Sequence, residues 1–158
     1  MNPSEFPAWG ALPESARRVY LEVLRYGPAP RAELAERVGL SPASLTRVTA
    51  PLLNANLIVE GEPRAAEFGR PSIPLDVALD AYSLIGVSIT HEWVVAIATD
   101  ARLNVRTSRT LPVTDTTPSV LLPQVADLVQ EMERELQESS PNSRVAAVGL
   151  SIGCLLYT

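Results

Sequence analysis

Residues 38–61 read VGLSPASLTRVTAPLLNANLIVEG, and this stretch restricts the fold more than any other part of the chain. Gly39 suits the left-handed conformation that ends a helix. Ser41 then serves as a helix cap, and Pro42 takes the first helical position, where its missing N–H costs nothing. On a wheel of about 100° per residue, Leu45, Val48, Thr49 and Leu52 share one face, while Ala43, Ser44, Arg47, Ala50 and Asn54 fall on the other. Such a helix lies on a core with one side and offers the other to a partner. Pro51, about ten residues in, is placed to kink it.

The flanking segments extend the pattern. Ser15 is read as the cap of a helix over 15–26, with Ala16, Val19, Tyr20, Val23 and Leu24 on one apolar face. Gly27-Pro28-Ala29-Pro30 stops it. The spacing predicts a second, short helix over 31–38 that buries Leu34, Ala35 and Val38, after which Leu40 turns back to the core. Beyond the third helix, 57–60 reads as a strand and 73–77 as its return. Between them lies the polar loop GEPRAAEFGRPS, which carries Arg64 and Arg70. Three helices and a β-hairpin, with a tight Gly-containing turn between the second and third helix, predict a winged helix-turn-helix. In that motif the third helix enters the DNA major groove with its N-terminal residues at the base edges. The candidate DNA-binding residues are therefore Ser41, Ser44, Thr46 and Arg47 on the helix, with Arg64 and Arg70 on the wing. Arg47 taken alone would be a solvated charge; the ordered set of elements carries the reading. A plain helical packing unit, or a winged helix that binds protein, competes with it.

Charge sharpens the question. The chain has a formal net charge of -5, and all thirteen of its basic residues are arginine. Residues 1–75 balance eight Arg against eight Glu; residues 76–158 set five Arg against ten acids. The acidity thus belongs to the second half. A neutral reading module lacks the cation excess that drives non-specific phosphate binding, so it is expected to work as a pair. Hydrophobic residues make up 46% of the 158, enough to build a core. No apolar run approaches the roughly 20 residues needed to span a bilayer, and MNPSEFPAWG has no basic region followed by an apolar one. One cysteine, Cys154, and one histidine make neither an internal disulfide nor a zinc cluster, so no metal and no cofactor are expected and the expected location is the cytoplasm.

From residue 83 the periodicity changes. Strands are predicted over 83–90, 93–99 and 105–113, a helix over 119–138 with Val125, Leu128, Val129, Met132 and Leu136 on its apolar face, and a strand over 144–152. The fold class is therefore α+β: a winged helix-turn-helix at 1–78, then an incomplete α/β unit at 79–158.

Taken together, GLSPASLTRVTAPLL, FGRPSIPLDV, YSLIGVSITHEWVVAIATDARLNV and VAAVGLSIG resemble the ROK family, named for repressors, open reading frames and kinases. The resemblance runs from about Glu14 to Gly153. It implies that 79–158 is the first part of a ribonuclease-H/actin-like sugar-kinase-like domain. It also implies an operator in double-stranded DNA, a two-fold homodimer, and, in a full-length member, a sugar effector that changes DNA affinity. The family's kinases follow the first strand of this domain with an acid, a glycine pair and a threonine that hold nucleotide phosphates. Here Ser88 stands for the acid, Thr90 and His91 for the glycines, and Glu92 for the threonine. A carboxylate at that place repels phosphate, so the chain is not expected to be an enzyme. His91 and Glu92 are read as adjacent surface groups. The sugar-contacting residues and zinc cluster of the family lie beyond the fourth strand, so the chain is expected to be a truncated regulator. A sugar-kinase fragment is the third reading.

Overall fold

The structure, a computed structural model, describes residues 12–63 and 72–153. Contacts divide the chain into two compact units, Met1–Ala78 and Leu79–Thr158.

In the first unit, helix α1 spans Glu14–Tyr26. Its N-cap is Pro13, with no side-chain cap bond, so Ser15 sits inside the first turn and does not cap the helix. Proline serves here because its fixed φ leads the chain into the helix, and the amides of Ala16 and Arg17 both donate to the Pro13 carbonyl. Ala16, Val19 and Val23 are buried. Gly27–Pro30 does more than stop this helix. Ala29–Pro30 forms the short strand β1, which pairs antiparallel with a later strand.

Helix α2, Arg31–Val38, buries Leu34, Ala35 and Val38. It ends as its sequence requires. Gly39 adopts φ +69°, a left-handed value that a Cβ would strain. The Leu40 amide then reaches back to the Ala35 carbonyl at 2.8 Å, and the Gly39 amide to Glu36 at 3.1 Å. This double closure satisfies carbonyls that the helix end would otherwise leave open. Helix α3, Pro42–Asn54, follows after three residues, with Leu45, Thr49 and Leu52 buried and Val48 half-buried. The helix runs on through Pro51 to Asn54. Strands β2, Ile58–Glu60, and β3, Pro74–Val77, pair antiparallel, and the sheet order is β1-β3-β2. The expected two-stranded hairpin is thus the larger part of a three-stranded sheet. Leu34, Leu45, Leu52, Ile58 and Leu75 are fully buried and form the centre of this unit's core. Each contributes about 1.5–3 kcal/mol relative to an exposed side chain.

In the second unit, strands β4 (Tyr82–Ile89), β5 (Trp93–Thr99), β6 (Val105–Pro112) and β7 (Arg144–Ile152) form one mixed sheet in the order β6-β5-β4-β7. β4, β5 and β6 run antiparallel as a meander, whereas β7 runs parallel to β4. A parallel neighbour requires a crossover, and helix α4, Pro118–Ser139, provides it. Alternate residues Ile85, Val87 and Ile89 of β4 and Val94, Ala96 and Ala98 of β5 are buried with Leu121, Val125, Leu128, Met132 and Leu136 of α4. In β7 the residues in register with that buried row, Val148, Leu150 and Ile152, are 51%, 52% and 63% exposed. The helix therefore covers only part of its face of the sheet.

Candidate nucleic-acid interface

The turn before α3 sets the interface. The Ser44 amide donates to Ser41 Oγ at 3.2 Å, and the Ser41 hydroxyl in turn donates to Ser44 Oγ at 2.9 Å. Ser41 therefore uses its hydroxyl both as acceptor and donor in the cap. The Thr46 hydroxyl donates to the Pro42 carbonyl at 3.0 Å, a bond back along its own helix. Of the three hydroxyl candidates at this helix start, Ser41 and Thr46 spend their protons locally, and Ser44 alone donates to no acceptor among the described residues.

Arg47 is exposed, one turn above the cap. Its guanidinium faces no carboxylate, since α3 contains neither Asp nor Glu and no salt bridge to Arg47 occurs among the described residues. Other arginines of this unit are engaged. Arg37 pairs with Glu33 and with Glu22, and its guanidinium lies 5.2 Å from the centre of the Tyr26 ring. Arg31 pairs with Glu60, and Arg18 donates to the Val38 carbonyl at 3.3 Å. These interactions tie helices and strand together and leave Arg47 as a donor whose geometry suits a guanine edge or a phosphate. Ala43, Ala50 and Asn54 share the exposed face with it. Sequence reasoning passed over the two alanines because it looked for hydrogen-bonding groups. Arg64 and Arg70, the two wing candidates, lie outside the described residues.

The turn after β4 is the other place where chemistry was weighed. The Thr90 hydroxyl donates to the Trp93 carbonyl and accepts from the Trp93 amide, both at 3.0 Å, which closes the β4–β5 turn. His91 and Glu92 lie side by side at 3.4 Å, with side chains 68% and 66% exposed. Both rings of contact are local, and the pair stands in solvent rather than in a cleft. Among the described residues no group of three or more His, Cys, Asp and Glu is placed to hold a metal, and no helix is long and apolar enough to cross a membrane.

Comparison with known proteins adds an independent line. No family profile matches the chain. It is 28% identical over 124 residues to the DNA-binding transcriptional dual regulator NagC of Escherichia coli strain K12, covering 76% of this chain and 30% of that protein. The N-acetylglucosamine repressor of Escherichia coli O6:H1 matches to the same extent. The DNA-binding transcriptional repressor Mlc of strain K12 is 30% identical over 107 residues, covering 66% of this chain and 26% of that one. The chain thus spans less than a third of the length of these relatives. A crystal structure of a ROK family transcriptional regulator, a homologue of the Escherichia coli Mlc protein, superposes with a TM-score of 0.66 over 87% of this chain at 21% identity, which establishes the common fold. Relatives and fold agree with the motifs in the sequence: the chain shares its fold with a ROK family transcriptional regulator, and the curated proteins it is similar to are DNA-binding transcriptional regulators.

Proposed function

We propose that residues 1–78 are a winged helix-turn-helix that lays α3 in the major groove of double-stranded DNA, and that the chain is a sequence-specific transcriptional regulator, a repressor of sugar-utilisation genes, rather than an enzyme. One observation supports this most directly. The exposed face of α3 is free of carboxylates and carries a guanidinium with no ion pair among the described residues, on a helix whose opposite face is locked into a core. The three-residue link between α2 and α3, Gly39 to Ser41, with Gly39 in the left-handed conformation, fits the tight turn of a helix-turn-helix. The relatives' own names, repressor and dual regulator, favour the same role. The sugar class comes from a relative named for N-acetylglucosamine.

In this reading Arg47 makes the base or phosphate contact, Ser44 donates to a backbone oxygen, and Ser41 and Thr46 hold the helix start in place. Arg64 and Arg70 reach DNA from the wing. Two copies bind a two-fold operator in the cytoplasm, because a module of zero net charge binds weakly alone. Selection of a random duplex library with the purified 158-residue chain tests this. A palindromic enriched site supports a paired reader. No enrichment at low salt contradicts DNA reading.

A further inference from the structure

The face of α3 also constrains which DNA it reads. Ala43, Thr46, Arg47 and Ala50 stand at i, i+3, i+4 and i+7, and all four are exposed. They lie opposite the buried Leu45, Thr49 and Leu52. The Thr46 hydroxyl donates its proton to the Pro42 carbonyl, so what that side chain has left to offer is its γ-methyl and the lone pairs of its oxygen. Three positions of the face therefore end in methyl groups, and the fourth ends in a fork of N–H donors with no acceptor of its own.

In the major groove such a surface has a defined complement. A forked guanidinium matches the O6 and N7 acceptors of guanine, and a methyl surface matches the C5-methyl of thymine. Adenine and cytosine present amino donors, and among these four residues the Thr46 hydroxyl oxygen is the sole acceptor, with neither a carboxylate nor an amide side chain to pair with them bidentately. Resting on the DNA-binding reading above, we infer that α3 recognises a half-site in which one guanine, read by Arg47, is bordered by thymines whose methyls pack on Ala43, Thr46 and Ala50. The discriminating contacts on the thymine side are apolar. The guanine supplies the polar anchor.

The test uses the full 158-residue chain and the duplex that it enriches most from a random library. That duplex is remade with deoxyuridine for thymidine, which removes only the C5-methyls, and separately with 7-deazaguanine, which removes N7. The expected result is an affinity loss of about fourfold per contacted methyl in the uracil duplex. A loss of about tenfold or more is expected for the guanine change at the one position that Arg47 reads. The variant Thr46→Ser keeps the hydroxyl and its back-bond but removes the γ-methyl, and it should shrink the thymine-over-uracil preference while leaving the 7-deazaguanine effect intact. Equal binding of thymine and uracil duplexes would overturn the inference and leave the DNA-binding reading standing. So would an enriched site lacking guanine. Failure to enrich any duplex would overturn both.

Discussion

Arg47 is where local and functional demands meet. Its side chain makes no ion pair among the described residues and its helix has a buried opposite face, so its removal should spare the fold. Arg47→Ala is expected to weaken binding to the enriched duplex by about 1–3 kcal/mol, measured by fluorescence anisotropy, with the circular dichroism melt unchanged. Ser41 behaves in the opposite way. Its hydroxyl accepts from the Ser44 amide and donates to Ser44 Oγ, so Ser41→Ala removes the cap. The expected loss is about 1 kcal/mol of helix stability, read as faster hydrogen exchange at the first amides of α3. A Ser41→Ala variant with unchanged exchange would show that Pro42 alone suffices to start the helix. The two substitutions thus separate a contact residue from a positioning residue on neighbouring turns.

Elements differ in how plainly their residues announce them. The cap, Gly39 and the apolar stripe made α3 legible, because each device acts within a few residues of the position it controls. The strand and helix pattern of the second unit was legible for the same reason: period 2 gives way to period 3.6 at α4. What escaped was tertiary. Ala29–Pro30 reads as a helix stop, and only its pairing with Leu75 and Pro74 makes it a strand. Pro13 displaced Ser15 as the start of α1 because backbone entry geometry, not a hydroxyl, begins that helix. Hydrogen-bonding residues could be named from sequence, but that Ser41 and Thr46 turn their hydroxyls inward depended on rotamers the sequence does not display. Asp100, at the β5–β6 turn, is a further device of this kind. Its carboxylate accepts from the amides of Arg102 and Asn104, at 2.8 and 3.0 Å, and from the Asn104 side chain at 2.8 Å. Burial pushes its carboxyl up, but the Asn104 and Arg102 hydrogen bonds, with the Arg106 charge, outweigh that and hold it below the usual range. A lowered carboxyl stabilises the fold fully above about pH 4, its unfolded value, and loses that contribution as pH falls through the folded value. Asp100→Asn sets an amide NH2 against that of Asn104, so it should destabilise the turn by about 1–3 kcal/mol near neutrality and flatten the acid dependence of exchange in β5 and β6. An unaltered acid profile in Asp100→Asn would remove the residue from this role.

Charge organises the whole molecule. The eight Arg and eight Glu of residues 1–75 cancel, and the net charge of -5 arises from residues 76–158. Under the proposed function, DNA affinity in such a chain does not rest on a broad basic surface but on a few directed contacts and on pairing of copies. The dependence of binding on salt should accordingly be shallow, with log K falling by about 0.9 per tenfold salt for each phosphate neutralised. The second unit has its own sheet order and crossover helix, and the exposed Val148, Leu150 and Ile152 mark the part of the helix-bearing face that α4 leaves uncovered. In the proposed function neither feature reads DNA; that role falls to α3.

The most direct test of that assignment measures equilibrium binding of the chain and of Arg47→Ala to the enriched duplex and to a scrambled duplex across a series of salt concentrations. The account requires that the wild-type chain prefer the enriched duplex at every salt, with a shallow linear log–log slope, and that Arg47→Ala lose most of that preference. Equal affinity of the wild-type chain for both duplexes, or a preference untouched by Arg47→Ala, would contradict the central claim that α3 reads DNA.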